Sequence, residues 1–345
     1  MRGNLHFFSS LTLTQSDIYK ITTYLEQGGY AVEQFLGRIL VTPLFASKET
    51  MARVFDLRTS FGSEVMFDSG GYYVQTGKMN YADLYYPLLK YYLQNQWADI
   101  YTLPDHVPTS QDSPERIEQK VEETVQFSRN FYLELPPNLQ ARAMPVVQGH
   151  NHDQVDFCLK SYLALGVKYL GFGSFGTSGQ GSELNVTTAK SVELARHVVR
   201  FAHQNGVKVH FFGLGAPALT ALIYGSGADS FDSSSWIKAA GFGQIFLPFM
   251  RAYNISYRNG SSEMQKGITV KQFAEWRELT GHRCSFCDDI AQLQAKKMYR
   301  TVHNLIVIKE TVELLNQRRF DRIERIYELG SPRYRQEYTK WLQPV

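Results

Sequence analysis

Two carboxylates hold the chemistry this sequence can be asked to do. Asp232 lies in the run Gly227 to Trp236, which reads as a short buried strand entering the polar turn Ser233-Ser-Ser-Trp236. Asp68 follows the apolar run Glu64-Val-Met-Phe67 and opens Ser69-Gly70-Gly71, where paired glycines let a backbone approach a ligand closely. One carboxylate can attack an anomeric carbon while a second handles the proton of the leaving group, which is how a glycosidic bond is cleaved. Asp232 is therefore the candidate nucleophile and Asp68 the candidate general acid/base.

For these groups to meet, the chain must bring distant positions to one place. Apolar runs ending at polar or Gly-rich turns recur at Ile100 to Asp105, Met144 to Gln148 and Val207 to Gly213, each separated by helical segments. Strand, turn and helix alternating seven times is the pattern of an α/β protein of the (β/α)8 TIM-barrel class, whose strand carboxyl ends line one mouth. Asp232, Asp68, Asp105 and Gln148 are expected to share that mouth. Residues 1–38 read as an N-terminal extension carrying one helix, capped near Thr14 and ended at Gly28-Gly29. The first strand is expected at Arg38, and the eighth is not evident. The barrel domain is assigned to 1–268, with Gln244 to Pro248 and Tyr253 to Tyr257 as a candidate antiparallel pair. A zinc-binding and C-terminal helical subdomain takes 269–345.

That subdomain holds Cys284 and Cys287 as a Cys-x-x-Cys pair, with His282 just before it and His303 beyond. Zinc takes four N or S ligands in a tetrahedron, and a tight Cys loop plus His from a following helix supplies them. Buried structural thiols are the plainer alternative. Cys158, flanked by Phe157 and Leu159, reads as core. His150 and His152, near Gln148, read as rim or solvated histidines ahead of a general base, and the pairs Lys296-Lys297 and Arg318-Arg319, with Arg300, Arg322 and Arg325, as a phosphate-binding stripe or a solvated helix face.

Composition narrows the class. A chain of 345 residues with 43% hydrophobic and 20% charged residues is a folded protein rather than a disordered one. A net charge of +3 does not by itself announce a nucleic-acid binder. No apolar run nears the roughly 20 residues of a membrane span, and no secretory leader is visible. Three cysteines suit a reducing compartment, so a cytoplasmic location without a membrane partner is expected.

Asp68-Ser-Gly-Gly-Tyr72, Val147-Gln-Gly149, Phe212-Gly-Leu-Gly-Ala-Pro217, Phe231-Asp232 and the Cys/His cluster followed by His303-Asn-Leu305 resemble the tRNA-guanine transglycosylases, in the same order along roughly residues 38–330. The resemblance implies that Asp232 attacks the ribose C1′ and that Asp68 protonates departing guanine and deprotonates an incoming 7-deazaguanine. It further implies that Ser69, Gly70, Asp105, Gln148 and Gly149 bind the base, with backbone amides at Gly171 and Gly173 reaching its carbonyl. Tyr72 and Phe212 would sandwich the ring, Phe212 standing where the family usually has Met. A structural Zn2+ on His282, Cys284, Cys287 and His303 is implied too, with His282 in the place of the family's first Cys. After the nucleophile, tRNA-acting members carry Pro-Thr-Arg, whereas this chain has Ser233-Ser-Ser-Trp-Ile-Lys238. In that respect it looks more like DpdA, relatives that insert preQ0-like bases into DNA. DNA is the expected polynucleotide and tRNA the alternative, an accessory protein staying open as a partner. A non-catalytic partner subunit and an unrelated barrel hydrolase acting on free nucleosides are the competing readings.

Overall fold

The computed structural model describes residues 3–11, 13–109, 111–173, 189–255, 267–330 and 341. Its centre is a ring of parallel strands: β1 (His6–Ser10), β2 (Arg38–Val41), β3 (Glu64–Phe67), β4 (Ile100–Thr102), β5 (Ala143–Met144), β6 (Val146–Val147), β7 (Tyr169–Phe172), β8 (Lys208–Phe211) and β9 (Ser230–Ser233). The lateral order is β5-β4-β3-β2-β1-β9-β8-β7-β6. Its two ends, β5 and β6, are halves of one strand broken at Pro145, which lacks the amide a continuous ladder needs. The ring thus closes through a single residue, giving a (β/α)8 TIM-like barrel.

The N-terminal segment departs from the sequence expectation. Residues 1–38 contain β1, which lies between β2 and β9 with Phe8 opposite Asp232. This is the strand missing from the alternation. The helix after it, Gln15–Gln27, starts at Thr14, whose side chain accepts from Asp17 N, and ends at Gly28. Gly166 and Gly206, at φ of 73° and 69°, close helices before β7 and β8 as the sequence suggests.

Side chains alternate across each strand, so every second residue faces the barrel interior. Phe8, Leu40, Met66, Ile100 and Met144 form a buried inner cluster, with Tyr169 and Phe212 packed against it. Thr42, Asp68 and Asp105 lie beyond that apolar floor at the strand carboxyl ends. The larger core fills the space between strands and outer helices. Beyond β9, β10 (Gln244–Ile245) pairs antiparallel with β11 (Tyr253–Asn254); the rest of the expected second strand, residues 256–257, falls outside the described residues. Among the described residues no helix is long and apolar enough to cross a membrane.

The long helix Lys297–Asn316 ties the C-terminal part to the barrel. His303 Nε2 donates to Phe246 O at 2.9 Å. Its neighbour Asn304 accepts from Phe246 N at 2.8 Å and donates to Trp236 O and Gln244 O, both at 3.1 Å. Two adjacent helical side chains therefore fix the backbone that follows β9.

Candidate active site

Each loop leaving a strand carries its polar group for a local reason. Gly70 adopts φ of 96°, and a Cβ there would come within 2.9 Å of the Phe45 ring, so the Asp68-Ser-Gly-Gly turn is confined to glycine. That turn aims Ser69 at Asp105, Oγ to Oδ1 at 2.8 Å, while Gln148 Nε2 donates to Asp105 Oδ2 at 2.7 Å. Ser69, Asp105 and Gln148 are all buried. Glycines make the room they need, since a Cβ on Gly71 would meet Asp105 Oδ1 at 2.7 Å and one on Gly173 would meet Gln148 Nε2 at 2.9 Å. Gly149, at φ of 152°, packs against Gln154 of the next helix. A Cβ on Gly171 would overlap the Phe212 ring at 2.4 Å, so the aromatic side chain lies directly over that backbone.

Thr42 Oγ1 donates to Asp68 Oδ2 at 2.8 Å. Protein groups surround this carboxyl, yet it keeps a small opening to the mouth. Burial pushes it from its ordinary 3.8 up to about 7; the Thr42 bond opposes this, and the charges of Asp105 and Asp232 add to it. Asp105 is raised as well, by burial, against the bonds from Ser69 and Gln148. Asp232 sits on the last turn of β9 with Oδ1 accepting from Gly213 N at 2.8 Å. Oδ2 takes no hydrogen bond among the described residues. Three carboxylates thus share one mouth, and one of them is held near neutrality.

A consequence for stability follows from the Asp68 shift. A carboxyl whose folded pKa is raised stabilises the fold fully below its unfolded pKa and loses that contribution as pH rises through the folded value. Between pH 4 and pH 8, Asp68→Asn should therefore gain on the order of 2–4 kcal/mol relative to the unsubstituted chain. Denaturant unfolding at both pH values measures this, and an equal difference at the two contradicts it.

Tyr72 stands on the rim, 42% exposed, with Lys238 Nζ 5.5 Å from its ring centroid. The segment carrying Lys238 folds back on itself. Ser233 Oγ donates to Ser235 Oγ, Ser235 Oγ to Gly215 O, both at 2.7 Å, and the buried Trp236 donates Nε1 to Ser233 O. One residue the sequence reading passed over also lies here: His210, on β8, is buried with Nε2 3.5 Å from Asp232 Oδ1. A lone histidine in Val207-Lys-Val-His-Phe-Phe212 gives no signal beyond its place on the inward-facing alternation.

His282, Cys284, Cys287 and His303 are all buried, and their ligand atoms lie within 4.8 Å of one another. Cys284 Sγ and Cys287 Sγ are 3.2 Å apart, and His303 Nδ1 is 3.5 and 3.4 Å from them. Because His303 Nε2 carries its proton toward Phe246 O, Nδ1 is left with its lone pair facing the sulfurs. His282 Nδ1 bonds Glu310, while His282 Nε2 is buried without a hydrogen-bond partner among the described residues. The orphaned Nε2 of carboxylate-backed His282, the two thiols and Nδ1 of carbonyl-backed His303 make a donor set that can hold a metal ion. The proposed fourth ligand is in place, and Glu310 is a supporting residue that sequence spacing did not reveal.

Other expectations resolve differently. Arg300 is buried and donates to Ala240 O, Leu293 O and Gln294 O, and Arg322 bonds Thr280 O and Glu310. Both are structural, which takes them out of a phosphate stripe. Cys158 is core, its thiol donating to Gln148 O at 3.4 Å.

A family model described as queuine tRNA-ribosyltransferase matches residues 92–318, more than half of the chain. Among curated proteins no match is found.

Proposed function

The chain belongs to the queuine tRNA-ribosyltransferase family, and from that premise we propose that it is a guanine transglycosylase that exchanges guanine in DNA for a 7-deazaguanine base of the preQ0 type. The observation that carries this reading is the pairing at one mouth of Asp232, whose Oδ2 takes no hydrogen bond among the described residues, and Asp68, whose pKa burial raises to about 7.

Asp232 attacks C1′, forming an Oδ–C1′ bond as the C1′–N9 bond breaks. The electron pair leaves on the base, which takes a proton from the Asp68 carboxyl. The incoming base gives a proton back to Asp68 and attacks C1′, releasing Asp232. A carboxyl near pKa 7 suits both directions, because proton donors and acceptors work best when poised near the operating pH. The Ser69–Asp105–Gln148 chain presents acceptors and donors to the Watson–Crick edge. Gly149 lines the approach, and Phe212 and Tyr72 provide apolar faces. The amides of Gly171 and Gly173 are bonded to Pro145 O and Val147 O, so these two glycines supply room rather than the donors expected of them. The nucleotide must leave its stack to enter. Zinc is the metal that suits two thiolates and two imidazoles, held by Cys284, Cys287, His282 and His303; bound there it supplies a structural cross-link.

DNA is supported by the stretch 233–238. Ser233, Ser235 and Trp236 spend their hydrogen bonds on the protein itself, and only Lys238 is left exposed beside Tyr72. A lysine there is suited to a phosphate next to the extruded nucleotide. Lys238→Gln should weaken polynucleotide binding about 3- to 10-fold at low salt and lower the salt slope by about one; an unchanged slope removes that contact. The description of the matching family favours tRNA as the second reading. Incubation with labelled guanine and duplex DNA, single-stranded DNA or tRNA decides between them. Label in tRNA alone overturns the DNA assignment, and label in none overturns the enzymatic reading in favour of a non-catalytic subunit.

A further inference from the structure

We propose that His210 is a positioning residue for Asp232, a neutral imidazole whose Nε2–H is directed at Oδ1 so that Oδ2 is the oxygen that attacks; the catalytic half of this rests on the transglycosylase reading above. His210 is fully buried beneath the mouth, edge-on to Phe8 and packed against Phe212 at ring centroids of 5.6 and 4.6 Å. Its Nδ1 is 2.7 Å from Ser230 Oγ, which also bonds the Tyr169 hydroxyl. Its Nε2 has no hydrogen-bond partner among the described residues and faces Asp232 Oδ1 at 3.5 Å.

Proton bookkeeping along this chain selects one tautomer. Burial raises the Tyr169 phenol, so it keeps its proton and can donate to Ser230. Ser230 then has one proton to give, and it goes to Nδ1. That leaves the imidazole hydrogen on Nε2, facing a carboxylate oxygen. The opposite polarity would set the Nε2 lone pair of the fully buried His210 against Oδ1, where unpaired electron-rich groups are costly.

The arrangement divides the labour of the two oxygens. Oδ1 receives the Gly213 amide and faces His210, whereas Oδ2 has no bond among the described residues. At 3.5 Å the His210 contact is long, as catalytic hydrogen bonds often are before substrate binds. Once Oδ2 joins C1′, Oδ1 becomes the ester carbonyl oxygen. When the incoming base attacks, the Oδ2–C1′ bond breaks and its electron pair returns to the carboxylate, which both donors on Oδ1 stabilise.

Two measurements on the full chain test this. Long-range 15N–1H spectra at neutral pH, with His210→Gln used to identify the signal, should show a neutral ring protonated at Nε2; an Nδ1–H tautomer or an imidazolium overturns the assignment. In exchange assays His210→Phe should lower kcat by about 10- to 100-fold with little change in KM, and His210→Gln, which restores an N–H near the position of Nε2, should recover most of it. Equal loss in both variants, with unfolding temperatures unchanged, overturns the donor role, as does an undiminished rate in His210→Phe. If the unsubstituted chain exchanges no base, the transglycosylase reading fails and the spectra alone decide the tautomer.

Discussion

Asp232→Ala should yield no base exchange and no covalent protein–polynucleotide adduct on a denaturing gel. Removing a nucleophile that forms a covalent intermediate costs roughly 10^4- to 10^6-fold in rate, well beyond any effect expected from the surrounding side chains. The alanine also strips the Gly213 amide of its acceptor, at about 1–3 kcal/mol if that amide stays buried and unpaired. Asp232→Asn is therefore the cleaner partner, since its amide oxygen can keep the Gly213 bond while lacking the charge that attacks. Both variants should fold. An unchanged exchange rate in either one removes Asp232 as nucleophile.

The second large effect is expected from the metal cluster. Structural zinc contributes folding free energy directly, with apparent values of about 10–16 kcal/mol in small domains. Stripping the metal with a chelator, or Cys287→Ala, should lower the unfolding temperature by roughly 10 °C or more. Exchange should fall in parallel, because His303 and Asn304 are neighbours on one helix and together hold Trp236, Gln244 and Phe246 behind the nucleophile strand. Elemental analysis should find about one zinc per chain. A chain without any transition metal, equally stable after chelation, contradicts this.

What the sequence made legible follows from how locally each feature is encoded. Strands β2 to β9 carry apolar runs that stop at polar turns, so the alternation and its mouth could be read from spacing alone. The four side chains of the Cys/His cluster, which could hold a metal ion, were legible around the local Cys-x-x-Cys turn. The strand His6–Ser10 was not. It is five residues long, two of them serines, and its identity comes from partners more than two hundred positions away rather than from any periodicity of its own. His210 and Glu310 escaped for a related cause. A single histidine or glutamate acquires meaning only from the Asp232 or His282 it faces across the fold. The basic residues misled in the other direction, since Arg300 looks like surface charge until its three carbonyl partners are seen.

The place of β1 in the ring sets an order of events at synthesis. Once His6 to Ser9 are made, one flank of that strand has no neighbour until Ser230 to Ser233 have left the ribosome. The pairing that finally seats it also brings Phe8 beside Asp232. A nascent chain therefore cannot close the ring while β9 is still being made, and a change that pulls His6 to Ser10 out of the sheet should disturb the surroundings of Asp232 before it disturbs most of the helices outside.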